Sequence, residues 1–255
     1  MSDAAPAAIS AYTPSPELKA RAMIALGSVF CAAVICYVPV GLHLSLGLTT
    51  IGAASALLLF IFSLVIFGLR HHGFKRFGAA NTVTAIRAAI VSLIAAAVLF
   101  PATAAEGSLA SWAFVGLVLV ALALDGVDGY LARRSGCSSA LGARFDMEID
   151  ALLILCLSVA AYFLGKAGIW VLLIGLMRYG FVLAQVPLPR LRGDLPPSFR
   201  RKLVCVVQVA AMCLMLVPGL EPPLSTGIAA IALGLLAWSF AVDSHYLLSA
   251  ARSGK

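Results

Sequence analysis

Acidic side chains are scarce in this sequence: of its 255 residues only 11 are Asp or Glu, against 18 Lys or Arg. Charged residues of both signs reach 11%, apolar residues reach 62%, and the mean hydropathy is +1.04. That balance excludes a water-soluble globule and points to an integral membrane protein, because so few charges cannot keep so much apolar surface in water. Metal-type CxxC spacing is also missing. The six cysteines, Cys31, Cys36, Cys137, Cys156, Cys205 and Cys213, fall mostly inside apolar runs, where they read as free thiols acting as small apolar residues. The N-terminus lacks the short apolar core of a cleavable signal. Residues 1–15, rich in Ala, Ser and Pro, read as disordered, and Ser15 followed by Pro16 reads as a helix cap with proline at the first helical position.

What is abundant is long apolar runs. A helix crossing the hydrocarbon needs roughly 20 apolar residues, and runs of that kind end repeatedly at Arg/Lys, Gly or Pro. They predict spans at 22–42, 48–69, 81–100, 109–131, 145–164, 167–187, 201–218 and 226–248, an all-α membrane protein of about eight transmembrane helices. Residues 70–80, "RHHGFKRFGAA", mix basic and aromatic side chains and read as an interfacial amphipathic helix. His71 and His72 are adjacent, so they face different sides of such a helix and read as solvated rather than metal-ligating. With this topology fifteen of the basic residues collect on one face, from Lys19 and Arg21 to Arg252 and Lys255, while Lys166 stands alone on the other. The positive-inside rule then puts both termini and the crowded face in the cytoplasm, as in a bacterial inner membrane. The net charge of +7 reflects this asymmetry and attraction to anionic membrane lipids. Nucleic acid is not an expected partner.

Against this background one stretch stands out. "LDGVDGYLARRSGCSSALGARFDMEID", residues 124–150, holds four aspartates and a glutamate. Asp125 and Asp128 are three residues apart near the end of one predicted helix, and Asp146 and Asp150 are four apart at the start of the next; each pair shares a helix face. Glu148 points away from the second pair. A short connection makes the two helices antiparallel neighbours, so the acidic faces can meet. Four converging carboxylates repel unless cations hold them, and hard divalent ions with oxygen ligands answer that need. Two Mg²⁺-like ions form the clamp used for displacement at phosphorus, so the residues alone suggest phosphoryl transfer at the cytoplasmic membrane surface. Gly126, Gly129 and Gly142 leave room beside the carboxylates for a bulky ligand, or let helices pack closely.

Read with its gaps, Asp125, Asp128-Gly129, Ala132-Arg133, Gly142, Asp146 and Asp150 resemble the signature of the CDP-alcohol phosphatidyltransferases, membrane enzymes that make phospholipids from CDP-linked donors. The resemblance implies a six-helix catalytic core over residues 81–250, with the two helices of residues 16–69 outside it. It implies two divalent cations, Mg²⁺ or Mn²⁺, held by Asp125, Asp128, Asp146 and Asp150, with Asp150 also the base that deprotonates the acceptor hydroxyl. CDP-diacylglycerol would be the donor, its nucleotide lined by Gly129, Ala132, Arg133 and Gly142, and CMP the leaving group. "ANTVTAIR" matches the opening of the family's first core helix, with Ala80 where proline is usual, and implies donor contacts from Asn81 and Thr84. Family members are commonly homodimers.

The acceptor is read from basic and polar residues at membrane depth or at the cytoplasmic helix ends: Arg178, Arg201, Lys202, Gln208 and Arg87. A phosphate dianion needs such groups, so a phosphorylated polyol such as glycerol 3-phosphate or inositol phosphate is expected, with a non-phosphorylated alcohol or phosphatidylglycerol as the alternative. Asp243 is expected either to pair with an arginine such as Arg178 or Arg87 or to reach the interface. A divalent-cation transporter or a metal-binding membrane protein is the rival class. A transport path would need acids in the opposite half of the spans, whereas Glu106 and Glu221 fall in loops.

Overall fold

The structure, a computed structural model, describes residues 15–71, 77–101, 108–135, 139–193, 195–196 and 198–250. Among them are eight α-helices in an all-α arrangement: α1 (Pro16–His43), α2 (Leu48–Gly68), α3 (Ala79–Leu99), α4 (Ser108–Ser135), α5 (Ala140–Phe163), α6 (Leu172–Ala184), α7 (Phe199–Met215) and α8 (Leu224–Ala250). Short 3₁₀ turns precede α3, α6 and α7. The first helix starts as its sequence suggests. Ser15 Oγ accepts the Leu18 N–H at 3.2 Å and Pro16 takes a position where no amide is needed.

The expectation of about eight transmembrane helices, arranged as six plus two, is corrected. Only five of the described helices are long and apolar enough to cross a membrane: Pro16–His43, Leu48–Gly68, Ala79–Leu99, Trp112–Leu131 and Leu224–Ser249. The run at 167–187 breaks because Ile169–Val171 form a 3₁₀ turn and Pro187 and Pro189 follow the helix end, leaving 13 residues in α6. At 1.5 Å per residue that is about 20 Å, short of a hydrocarbon core of roughly 30 Å. Helix α7 has 17 residues and carries Arg200, Arg201 and Lys202 in its first turn, and α5 carries Arg144, Asp146, Glu148 and Asp150 in its first half. The five apolar helices are consistent with an integral membrane protein. The expected disordered stretch lies, apart from Ser15, outside the described residues, as do residues 72–76 of the expected interfacial helix and Cys137. The five cysteines that are described are free thiols.

Helix α3 is the hub. It packs against α1, α2, α4 and α5, and 13 of its residues are buried, five of them alanines, whose small side chains let neighbours approach closely. Side-chain hydrogen bonds fasten the first two helices to it: Tyr37 Oη donates to the Ala89 carbonyl at 2.6 Å and Thr50 Oγ1 to the Phe100 carbonyl at 3.0 Å. On the other side α5 meets α6 so closely that a Cβ on Gly175 would lie 2.5 Å from Leu155 Cα. Away from the aspartates, Lys166 Nζ donates to the Leu220 carbonyl at 2.9 Å and to Glu221 Oε1 at 2.7 Å, and Ser225 Oγ donates to the Lys166 carbonyl at 2.6 Å. These bonds tie the turn after α5 to the turn before α8.

Candidate functional site

Three helices build the site. The end of α4 brings Asp125 and Asp128, the start of α5 brings Asp146 and Asp150, and α3 runs between them with Asn81, Thr84 and Arg87 at three-residue spacing along its buried side. Helix α5 begins with Ser139 as its cap, Oγ accepting the Gly142 N–H at 2.9 Å, which fixes where the first turn, and hence Asp146, comes to lie.

The four carboxylates converge on one guanidinium. Arg87 is 1% exposed. Its Nη1 lies 2.6 Å from Asp125 Oδ1 and 3.0 Å from Asp128 Oδ2, while Nη2 lies 2.5 Å from Asp146 Oδ1 and 2.9 Å from Asp150 Oδ1. Nη2 also donates to the Asp146 carbonyl at 3.2 Å. With all four acids ionised, one guanidinium leaves a formal charge of −3 at this point. Asp128 is buried and takes the Thr84 hydroxyl on Oδ2 at 3.0 Å, while its Oδ1 has no hydrogen-bond partner. A buried, unpaired carboxylate oxygen in an over-negative cluster is costly. Asp125, Asp128 and Asp146 each offer an oxygen within 4.8 Å of the others, so the donor set is capable of holding a divalent cation. The side chains of Asp125, Asp146 and Asp150 are 46%, 37% and 39% exposed, against 4% for Asp128, so the first three reach solvent while Asp128 forms the buried floor of the cluster.

The expected donor-side residues divide. Asn81 and Thr84 are buried and committed to the protein: Asn81 Nδ2 donates to the Phe77 carbonyl, and Thr84 Oγ1 contacts Asp128 and the Ala80 carbonyl. Gly142 lies against Asn81, whose Oδ1 a Cβ at this position would strike, with Ser139 Oγ 3.0 Å away. Gly126, by contrast, is exposed and a Cβ there would meet nothing within 4 Å, so helix packing does not account for it. Gly129 is half-buried in α4. Ala132 and Arg133 lie one turn further along α4; their side chains are outside the described residues. Because Asn81 is anchored and cannot swing aside, Gly142→Ala should cost about 1–3 kcal/mol of stability. Thermal unfolding in detergent would check this, with Gly126→Ala unchanged or slightly more stable as the control.

The acceptor candidates also separate by what holds them. Arg87 is engaged with the aspartates. Arg178 Nη2 lies 2.9 Å from Glu148 Oε1, on the flank of α5 away from the aspartates, and its Nε is buried without a partner. Arg201 Nη1 lies 3.4 Å from Asp243 Oδ1 and its Nη2 donates to the Pro196 carbonyl. Lys202 is exposed and forms no ion pair among the described residues. Gln208 is 2% exposed with neither amide atom bonded. Asp243 pairs with Arg200 at 2.5 Å rather than with Arg178 or Arg87. Arg200 also donates to Ser239 and lies 5.4 Å from the Trp238 ring centroid, a bundle of contacts that fastens α7 to α8. The central place of Arg87 was not read from the sequence. The available signal was its position three residues after Thr84 on the same polar stripe of an otherwise apolar helix.

One family model, described as CDP-alcohol phosphatidyltransferase, matches residues 77–242. That range runs from just before α3 into α8 and includes all four aspartates; α1 and α2 lie outside it. No curated protein and no solved structure matches the chain.

Proposed function

The chain belongs to the CDP-alcohol phosphatidyltransferase family, and from that premise we propose that it moves a phosphatidyl group from CDP-diacylglycerol to the hydroxyl of a phosphorylated polyol, releasing CMP. The observation that carries this reading is the meeting of four carboxylates from α4 and α5 at one point, with an excess of negative charge and an unpaired buried oxygen on Asp128. Asp125, Asp128, Asp146 and Asp150 would hold two divalent cations, Mg²⁺ or Mn²⁺. Bound there, such ions supply neutralisation of the diphosphate and polarisation of the oxygens on the reacting phosphorus.

The protein's own groups do the rest. Asp150, exposed enough to meet a substrate, takes the proton of the acceptor hydroxyl as its oxygen bonds to the phosphatidyl phosphorus and the bond from that phosphorus to CMP breaks. Asp128, buried and bonded to Thr84, keeps the geometry of the pair on α4. Gly126 and Gly129 leave the donor a path along α4, and Arg133 neutralises phosphate charge. Asn81, Thr84 and Gly142 border the nucleotide by holding the ends of α3 and α5 in register. Arg178 and Lys202, with Gln208 and Arg201 nearby in sequence, form the acceptor side, where charge favours a phosphate-bearing alcohol. The site faces the cytoplasm of a bacterial inner membrane, and the enzyme works as a homodimer. Purified protein incubated with CDP-diacylglycerol, Mg²⁺ or Mn²⁺ and a panel of alcohols should release CMP, fastest with a phosphorylated polyol. No CMP with any acceptor would favour a metal-binding or metal-transporting protein instead.

A further inference from the structure

We propose that Arg87 is the resident counter-cation of the aspartate site: it holds the acidic faces of α4 and α5 together and exchanges their oxygens with divalent cations as these bind. The proposal rests on the reading of the four aspartates as a divalent-cation site. Its geometry is specific. One terminal nitrogen of the guanidinium serves the pair on α4, Asp125 and Asp128, and the other serves the pair on α5, Asp146 and Asp150. The planar fork therefore bridges two helices, which a single ammonium group cannot do as well. Arg87 sits in α3, the helix both of them pack against, and at 1% exposure it has no access to water as an alternative partner. Among the described residues no other cation contacts these carboxylates.

Two consequences follow from charge. Without divalent ions, Arg87 is what keeps four carboxylates from driving α4 and α5 apart, so its loss weakens the metal-free fold. With divalent ions, the guanidinium and the metal draw on the same oxygens, and a metal ion demands close, well-placed oxygen ligands; occupancy of these oxygens by Arg87 thus lowers metal affinity. A positive group whose removal loosens the fold yet tightens metal binding is a positioning residue of an exchangeable kind. An ordinary structural arginine would weaken both together.

The test compares wild-type protein, Arg87→Gln and Arg87→Lys, each stripped with chelator and titrated with Mn²⁺. Free Mn²⁺ is read by electron paramagnetic resonance and stability by thermal unfolding. Arg87→Gln should unfold at a lower temperature than wild type when metal-free, bind Mn²⁺ about tenfold tighter, and gain more stability from Mn²⁺ than wild type does. Arg87→Lys, retaining charge but not the fork, should bind Mn²⁺ more tightly than wild type by a smaller factor, and it carries the test should Arg87→Gln not fold. Unchanged or weaker Mn²⁺ affinity in the variant that folds overturns the counter-cation role while leaving the metal site standing. Absence of Mn²⁺ binding by the wild type overturns both.

Discussion

Asp150→Asn should abolish turnover, by about 10³-fold or more, while binding of CDP-diacylglycerol in the presence of Mn²⁺ survives better than in Asp125→Ala. The carboxamide of asparagine keeps the shape of Asp150 and an oxygen for Arg87 Nη2, which lies 2.9 Å from Asp150 Oδ1. It loses the basicity needed to accept a proton from a hydroxyl. Asp125→Ala instead removes one of the three carboxylates whose oxygens cluster within 4.8 Å, so it should depress metal and donor binding together. Measuring CMP release alongside donor binding in both variants separates the roles. Equal loss of donor binding in the two would contradict the assignment of Asp150 as the base.

The aspartates were legible because their message is carried by spacing. Three- and four-residue intervals put each pair on one helix face, but the expected direct pairing of α4 with α5 is not what joins the two faces: both helices pack against α3, and the aspartates meet at its Arg87. Helix positions were legible for the same reason, with the apolar runs locating all eight. Which of them are long enough to cross a membrane was not. Hydropathy sees the apolar character of residues 167–187 but not the 3₁₀ turn at Ile169–Val171 or the helix end before Pro187 that cut the run short. The salt bridges were less legible still. Asp243 was expected either to pair with an arginine such as Arg178 or Arg87 or to reach the interface; it does pair, but Arg178 is on Glu148 and Arg87 on the aspartates, which leaves Asp243 to Arg200 and Arg201. Partner choice among scattered charges depends on how helices neighbour one another, and one sequence contains little of that information.

Those pairings sharpen the question of the acceptor. Of the three arginines read as acceptor ligands alongside Lys202 and Gln208, Arg87 is taken by the four aspartates and Arg201 is held by Asp243 and the Pro196 carbonyl, whereas Arg178 has one terminal nitrogen on Glu148 and a buried Nε with no partner. An unpaired buried donor favours an anion that can complete its bonding. Arg178→Ala should therefore raise the KM for a phosphorylated polyol by about 10- to 100-fold, from the loss of charge-assisted hydrogen bonds of about 1.5–3 kcal/mol, with the KM for CDP-diacylglycerol little changed. Glu148→Gln is the control that distinguishes recognition from architecture. It removes the ion pair but frees the guanidinium, so it should leave the acceptor KM unchanged or lower it. If Arg178 serves only to join α6 to α5, both substitutions would lower thermal stability alike and neither would discriminate between acceptor and donor. An Arg178→Ala enzyme with an unaltered KM for every phosphorylated acceptor would remove Arg178 from the acceptor site and shift attention to Lys202, whose charge is exposed and unpaired among the described residues.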